Sequence, residues 1–394
     1  MDDGTIGVHL RRLRRERALT QERLAERAGV SPAIVQKLEQ GRRSSASTAT
    51  LIALADALDA DLSELTGKRP RLARSEDVRV LGLRDAVLSR DLLPGVEPGD
   101  REEPPPLEWL QVEVASAWRD YWAGRFSRLA AALPELVARA RAAQHAGDQR
   151  VAPLLGQSYQ LVAALLVHLG KDDLAVMGAE RAIQAAATGD DELQWAAFHG
   201  TYSWALLHQG RTEAAERHAL WAAEQIEPKI TTATLPHLTV WGGLMLWAMA
   251  AAVAGARRAE AVEYIGLART AAGRFETDRH DYEVNFGPTQ VAMQATHAYA
   301  VLREPDRALR AREAVRREDL REISWGRHLI DVAQAQVDAR DLSGAERTLV
   351  VAESMSPEWF RHQGPARGLV GELVHQSRRL TPPLRRLAAS TGLN

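Results

Sequence analysis

The chain contains no cysteine, which excludes disulfides, thiolate zinc sites and a cysteine nucleophile. Lysine is nearly absent as well: four of the fifty basic residues. The excess of arginine and alanine is that of a GC-rich genome and carries no functional information. Asparagine occurs twice, at Asn285 and Asn394, so a ladder of asparagine side chains along a peptide groove is excluded. No signal peptide is expected, because Met1-Asp2-Asp3 is acidic and no apolar core follows it. Chemistry-bearing constellations are missing too. No Gly-rich loop follows a strand, so no nucleotide cradle is expected. His280-Asp281 and Asp190-Asp191-Glu192 read as solvated charged turns, and His297 and His328 have no ligand partner at i+4. No catalytic residue, cofactor or metal is expected, and the chain reads as a non-enzyme.

The densest signal is Thr20 to Gly41, TQERLAERAGVSPAIVQKLEQG. Ala25 is small where a second helix must cross close above it. Gly29 falls in a turn where the backbone wants φ > 0, which Gly adopts freely. Leu24, Ala28, Ile34, Val35 and Leu38 complete an apolar face that fixes the angle between two helices. Ser31 is expected to cap the second helix, with Pro32 in its first turn, where the missing N–H costs nothing. Gln21, Ala25, Gly29 and Val35 occupy the first, fifth, ninth and fifteenth places of a helix–turn–helix, whose second helix enters a DNA major groove. Gly7 to Arg17 form a preceding helix with Ile6, Leu10 and Leu13 on one face. Leu51 to Leu58 and Asp61 to Leu65 supply two more. Residues 1–43 hold ten Lys or Arg against six Asp or Glu, while the whole chain has net charge −2. A basic head on an acidic body fits a small DNA-binding module.

Five short helices in this order resemble the DNA-binding domain of the phage lambda repressor and Cro family, often called the Xre family, from residue 5 to about residue 67. The matching pieces are Arg14, Gln21, Ala25, Gly29, Val35, Glu39, Gly41 and the Leu51–Leu58 run. The resemblance implies double-stranded DNA as partner and an ion pair between Arg14 and Glu39. Ser31, Pro32, Ala33, Gln36 and Lys37 are the outward positions of the recognition helix. Gln36 suits adenine, Lys37 guanine and Ala33 a thymine methyl. Arg42 and Arg43 suit phosphate, and Gln21 stands where the family sets a side-chain amide on the DNA backbone. Two departures stand out. The recognition helix carries no arginine, and the loop after it, GRRSSASTATL, is one residue longer than the usual form and lacks its proline.

From Leu107 onward the sequence is helix-patterned with almost no strand signal. Turn markers recur at Gly124, Gly170, Gly210, Gly255, Arg303-Glu304 and Arg340-Asp341, about 37 to 48 residues apart. Five residues beyond most of them comes a small or apolar residue: Leu129, Ala175, Ala215, Ala308 and Ala345. Each unit is therefore two helices, the first ended by a left-handed residue and the second packed closely through the small one. This is the logic of tetratricopeptide repeats, whose period is 34, in longer and less regular form. One unit cannot bury its apolar face, so five or six stack into a curved solenoid with a concave groove. The fold class is all-α, with three parts: a head at 1–68, a connecting segment at 69–106, and a repeat body at 107–394. In the connecting segment Val78 to Ser89 reads as an amphipathic helix. Pro94 to Pro106, PGVEPGDREEPPP, reads as an extended acidic linker that DNA phosphate would repel.

Ile230 to Ala256 carries no charged residue, and Leu238 to Gly255 approaches a bilayer span in length. Its glycines, its threonine and its place in the repeat register favour a buried solenoid helix over a membrane span. All ten tryptophans lie between Trp109 and Trp359. Large aromatics either fill gaps between helices or line a groove; for a groove, the candidate lining residues are His199, Tyr202, Trp241, Asn285 and Gln294. The whole layout resembles bacterial regulators with an Xre-type head and a tetratricopeptide-like sensor, such as the Rgg, PlcR and PrgX group. That resemblance implies a cytoplasmic, nucleoid-associated homodimer on inverted half-sites, controlled by a peptide, small molecule or protein in the groove. The competing reading is a repeat-based interaction adaptor in which DNA binding is weak or auxiliary.

Overall fold

The structure is a computed structural model that describes residues 6–17, 19–43, 46–58, 60, 65, 80–89, 104–187, 189–377 and 379–393. It is helical throughout apart from one small hairpin, with twenty α-helices among the described residues. In the head, α1 (Ile6–Glu16), α2 (Gln21–Arg27), α3 (Pro32–Glu39) and α4 (Thr48–Ala57) enclose a core of Leu10, Leu13, Leu24, Ala25, Val35, Leu38, Leu54 and Leu58. Thr20 caps α2 and Ser47 caps α4 through their hydroxyls. Of the expected fifth helix, Asp61 to Leu65, only Leu65 is among the described residues, and it is buried in this core. In the connecting segment α5 (Val80–Leu88) buries Leu83, Ala86 and Val87. Val78, Arg79 and most of the Pro94–Pro106 linker lie outside the described residues.

The body stacks six helix pairs: α6 (Leu107–Trp122) with α7 (Phe126–His145), α8 (Ala152–His168) with α9 (Asp172–Ala186), and α10 (Glu192–His208) with α11 (Thr212–Gln225). The pairs continue with α12 (Leu235–Ala254) and α13 (Arg258–Ala272), α14 (Pro288–Val301) and α15 (Pro305–Ala311), and α16 (Glu322–Asp338) and α17 (Leu342–Met355). Each first helix ends in the same way. A left-handed residue follows it, and the next N–H bonds back five positions at 2.8–3.1 Å: Arg125 to Asp120, Lys171 to Leu166, Arg211 to Leu206, Arg257 to Ala252, Glu304 to Tyr299, Asp341 to Gln336. This is the Schellman geometry, which satisfies carbonyls the helix end leaves open. The left-handed residues are Gly124, Gly170, Gly210, Ala256, Arg303 and Arg340. The fourth corrects the sequence expectation: Gly255 has φ −81° and Ala256 has φ 58°. Counting five from Ala256 gives Ala261, fully buried like Leu129, Ala175, Ala215, Ala308 and Ala345 at the same offset. The register is thus unbroken across all six units.

The first helices of the pairs form an inner layer and the second helices an outer one. The sequence pattern predicts an open concave groove, but the inner layer closes on itself, with α16 touching α6. The closure is made by α18 (Pro357–Arg361), which precedes α19 (Gly364–Gln376) and α20 (Pro382–Ser390). Trp359, 1% exposed, lies between the turn at Gly124 and the helix at Gly326. A Cβ at Gly326 would come within 2.6 Å of the indole, and one at Gly124 within 2.4 Å of Ser356 Oγ. Glu358 accepts a 2.6 Å bond from the Ser127 backbone N–H at the start of α7. Two glycines and one buried tryptophan therefore let the sixth unit meet the first.

Among the described residues two segments are long and apolar enough to cross a bilayer, Gln149–His168 and Leu235–Ala254, and 78% and 89% of their apolar windows are buried inside the protein. Helices apolar all round are what an inner layer enclosed on every side requires.

Candidate nucleic-acid interface and body cavity

The head's two-helix unit is locked by a charge cluster. Arg14 on α1 holds Glu39 at the end of α3 with two bonds, Nε to Oε1 at 2.6 Å and Nη2 to Oε2 at 2.9 Å. Its Nη1 donates to the Leu19 carbonyl at 2.7 Å. The Glu39 side chain is 3% exposed. Burial opposes its charge, but the bonds from Arg14 and Gln21 outweigh this and hold its carboxyl below the usual range. The bond to Glu39 in turn raises Arg14. The pair implied by the resemblance is present, and Gln21 joins it: Nε2 donates to Glu39 Oε2 at 2.7 Å. One amide hydrogen of Gln21 is thus used inside the head. Ser31 stands at the N-cap of α3 as expected, but its side chain makes no capping bond. The start of α3 is set by Pro32 and by the Ile34 N–H to Ser31 carbonyl bond. Gly7, which the sequence pattern did not single out, lets α1 cross α3 closely: a Cβ there would collide with the Leu38 carbonyl.

This cluster leaves one side of α3 outward. Ser31, Pro32, Ala33, Gln36 and Lys37 are exposed, as are Gln40, Arg42 and Arg43 just beyond. The turn between α2 and α3 runs through Gly29 at φ 62°. The inward side, Val35 and Leu38, is fully buried. A rigid helix with small and polar side chains outward, on a base of bidentate ion pairing, is the geometry with which a protein reads base edges.

The second site is the interior of the ring. A partly open cavity of about 190 Å³ is lined by residues from every inner helix: Trp118, Gln160, Thr201, Trp247, Gln294 and Arg327, on α6, α8, α10, α12, α14 and α16. A hairpin of β1 (Arg279–Asp281) and β2 (Val284–Phe286) reaches into it. Gly242 and Gly243 of α12 form its seat, with Phe286 and Val284 where their Cβ atoms would be. The hairpin corrects the solvated reading of His280-Asp281. Asp281 accepts from Thr239 at 3.0 Å, and His280 lies 2.7 Å from both Asn285 Oδ1 and Glu283 Oε2. Glu283 also accepts from Trp122 Nε1 at 2.9 Å and faces the cavity. Asp190, Asp191 and Glu192 are exposed, and Asp191 caps α10.

Of the five candidate groove residues, Asn285 and Gln294 line the cavity; His199, Tyr202 and Trp241 do not. On α10 the cavity face is Ala197, Thr201 and Trp204, at helical spacings of four and three. His199 and Tyr202 lie on another face and turn to the outer layer. There His199 Nδ1 meets His218 Nε2 at 2.7 Å and Tyr202 packs on the His218 ring. The sequence pattern missed Trp118, Tyr121, Trp122, His168 and Arg327, which only ring closure brings to the same space. His168 contacts the Tyr121 hydroxyl and is pushed down to about 3, first by burial and then by the charge of Arg327. His297 Nδ1 is 3.0 Å from Asp331. Among the described residues no group of three or more His, Asp or Glu could hold a metal ion.

No curated protein matches the chain. Residues 5–66 match a family model described as a helix-turn-helix domain, and the head is accordingly a DNA-binding module carried on an all-α helical body.

Proposed function

We propose that the protein is a sequence-specific transcription regulator of the Xre type, active as a homodimer and controlled by a ligand in the body. The observation that carries the reading is the outward side of α3, held rigid by Arg14, Gln21 and Glu39. Residues 1–68 act as the reading head, 69–106 as the connector and 107–394 as the dimerising sensor. Gln36, Lys37 and Ala33 address base edges, Gln21, Arg42 and Arg43 address phosphates, and Ser31 faces the DNA at the start of α3. Two heads of one dimer engage inverted half-sites about one helical turn apart. An occupant of the cavity touches all six inner helices at once. Occupancy therefore favours one curvature of the ring over another, and with it one arrangement of heads.

A gel shift with the full chain and selected DNA tests this. Binding should be sequence-specific and weaken steeply with salt. Lys37→Ala should cost about 1–3 kcal/mol and relax one base position, whereas Arg43→Ala should weaken all sequences alike. The same selected motif and affinity for Lys37→Ala as for the unaltered chain would show that α3 does not read DNA.

A further inference from the structure

We propose that the body cavity is a binding site for a small, flat organic acid whose carboxylate pairs with Arg327 and whose ring lies along the tryptophan wall. The proposal rests on the ligand-control reading above and names the ligand's class.

The first ground is charge. Arg327 on α16 is half-buried, lines the cavity, and makes no hydrogen bond or ion pair among the described residues. The acids around it are already engaged. Glu283 is held by the Trp122 indole and His280. Asp331, which feels the charge of Arg327, is held by His297. His168 is neutral at ordinary pH and offsets nothing. The wall therefore presents one guanidinium that lacks a hydrogen-bond acceptor and shares only the charge of Asp331, a planar fork suited to a carboxylate.

The second ground is the hydrogen-bond inventory. The indole N–H groups of Trp118, Trp204 and Trp359 are buried without an acceptor, and indole only donates. All three residues line the cavity. The two unpartnered acceptors beside them are the side-chain oxygens of Gln160 and Gln290. These atoms are covered in this structure, so an occupant with oxygen acceptors and one N–H or O–H donor reaches them only where the side chains that line the cavity turn toward it. The third ground is shape. Trp204 and Trp247 stack at 5.6 Å and 24°, and Trp118 and Trp122 at 6.3 Å and 23°. Flat aromatic walls favour a flat, apolar body with a polar edge.

Calorimetric titration of the full-length chain with indole-3-acetate and 4-hydroxyphenylacetate, each beside its neutral amide, tests the class directly. The acids should bind at least ten-fold more tightly than the amides. Arg327→Gln should erase that ratio, and Arg327→Lys should keep part of it. Because the acid-to-amide ratio is read on the unaltered protein, it stands even if a variant does not fold. Equal affinity of acid and amide, an unchanged ratio in a folded Arg327→Gln chain, or no binding by either acid overturns the proposal. Operator binding measured with and without saturating acid separates the two readings. An acid that binds without changing operator affinity leaves this site standing and removes ligand control. An amide that binds as well as its acid and shifts operator affinity does the reverse.

Discussion

Glu39 is held by side chains from two other helices, and this makes the head's stability depend on a single carboxylate. Both ends of the Arg14–Glu39 pair are largely shielded, at 12% and 3% exposure. Glu39→Ala leaves the guanidinium with the Leu19 carbonyl as its one hydrogen-bond partner among the described residues, which should cost about 3–5 kcal/mol. Gln21→Ala removes one hydrogen bond to a charged group and should cost about 1.5–3 kcal/mol. No tryptophan lies in the head, so hydrogen exchange at residues 6–43 reads its opening while tryptophan fluorescence reads the body. Unchanged head protection in Glu39→Ala would sink the argument. Acid should act in the same direction. The carboxyl of Glu39 is depressed in the folded head, so its contribution is present above about pH 4.5 and is lost as pH falls through the folded value. The Arg14–Glu39 partnership was legible from the family resemblance. The part of Gln21 was not, because an amide beside a helix start reads equally well as a phosphate contact. The missing Ser31 cap was not legible either: residue type marks an N-cap position, but the hydroxyl's rotamer is set by its surroundings.

At the scale of elements, the six Schellman ends are the repeat's real signature, and three of them use residues that fit the geometry poorly. Ala256, Arg303 and Arg340 sit at φ 58°, 60° and 67°. A left-handed L-residue costs about 1–2 kcal/mol, and a new glycine gives back about 0.4–1 kcal/mol to the unfolded chain's entropy. Ala256→Gly, Arg303→Gly and Arg340→Gly should therefore each stabilise the body by about 0.5–1 kcal/mol. Urea unfolding followed by tryptophan fluorescence checks this; a lowered midpoint for all three would mean the left-handed strain is not there to relieve. The helix pairs were legible because a turn and a buried small residue five positions on recur along the chain. Gly255 misled because glycine is the usual left-handed residue, and only backbone geometry shows that its neighbour takes the role. The hairpin was illegible for a related reason. Its two-residue loop puts Tyr282 and Glu283 at φ 54° and 59°, where such turns ordinarily carry Asn-Gly. Three-residue strands with no glycine at the turn leave no pattern to read. The strained loop carries Glu283 to the cavity wall, which is where such strain is commonly retained.

At the scale of the molecule, packing of the body's helices buries three histidines. His168 and His199 are pushed down to about 3 and His328 to about 4, each first by burial. Their folded values lie below the unfolded 6.5, so their contribution to stability is full above pH 6.5 and is lost as pH falls toward 4 and 3. Body unfolding midpoints should fall across that window, and His168→Phe should flatten part of the slope; a midpoint independent of pH between 7 and 4 would contradict the neutral, buried state. The longest-range prediction concerns how the body governs the head. The composition of Pro94–Pro106 is that of an extended acidic linker, and on the proposed function the heads are positioned through the bodies. Once the first head of a dimer is seated, the second meets its half-site at an effective concentration set by the tether, which raises affinity without any new base contact. A free head, residues 1–70, should then bind a half-site weakly and ignore half-site spacing. The full chain should bind the paired site far more tightly, lose affinity with a five-base-pair insert that turns the second half-site to the opposite face, and recover part of it with ten. An occupant of the cavity acts on this spacing dependence and leaves the half-site affinity of the free head untouched. Gel shifts with both proteins on the three operators decide the matter: equal affinities for head and full chain at every spacing would show that the body takes no part in organising the DNA complex.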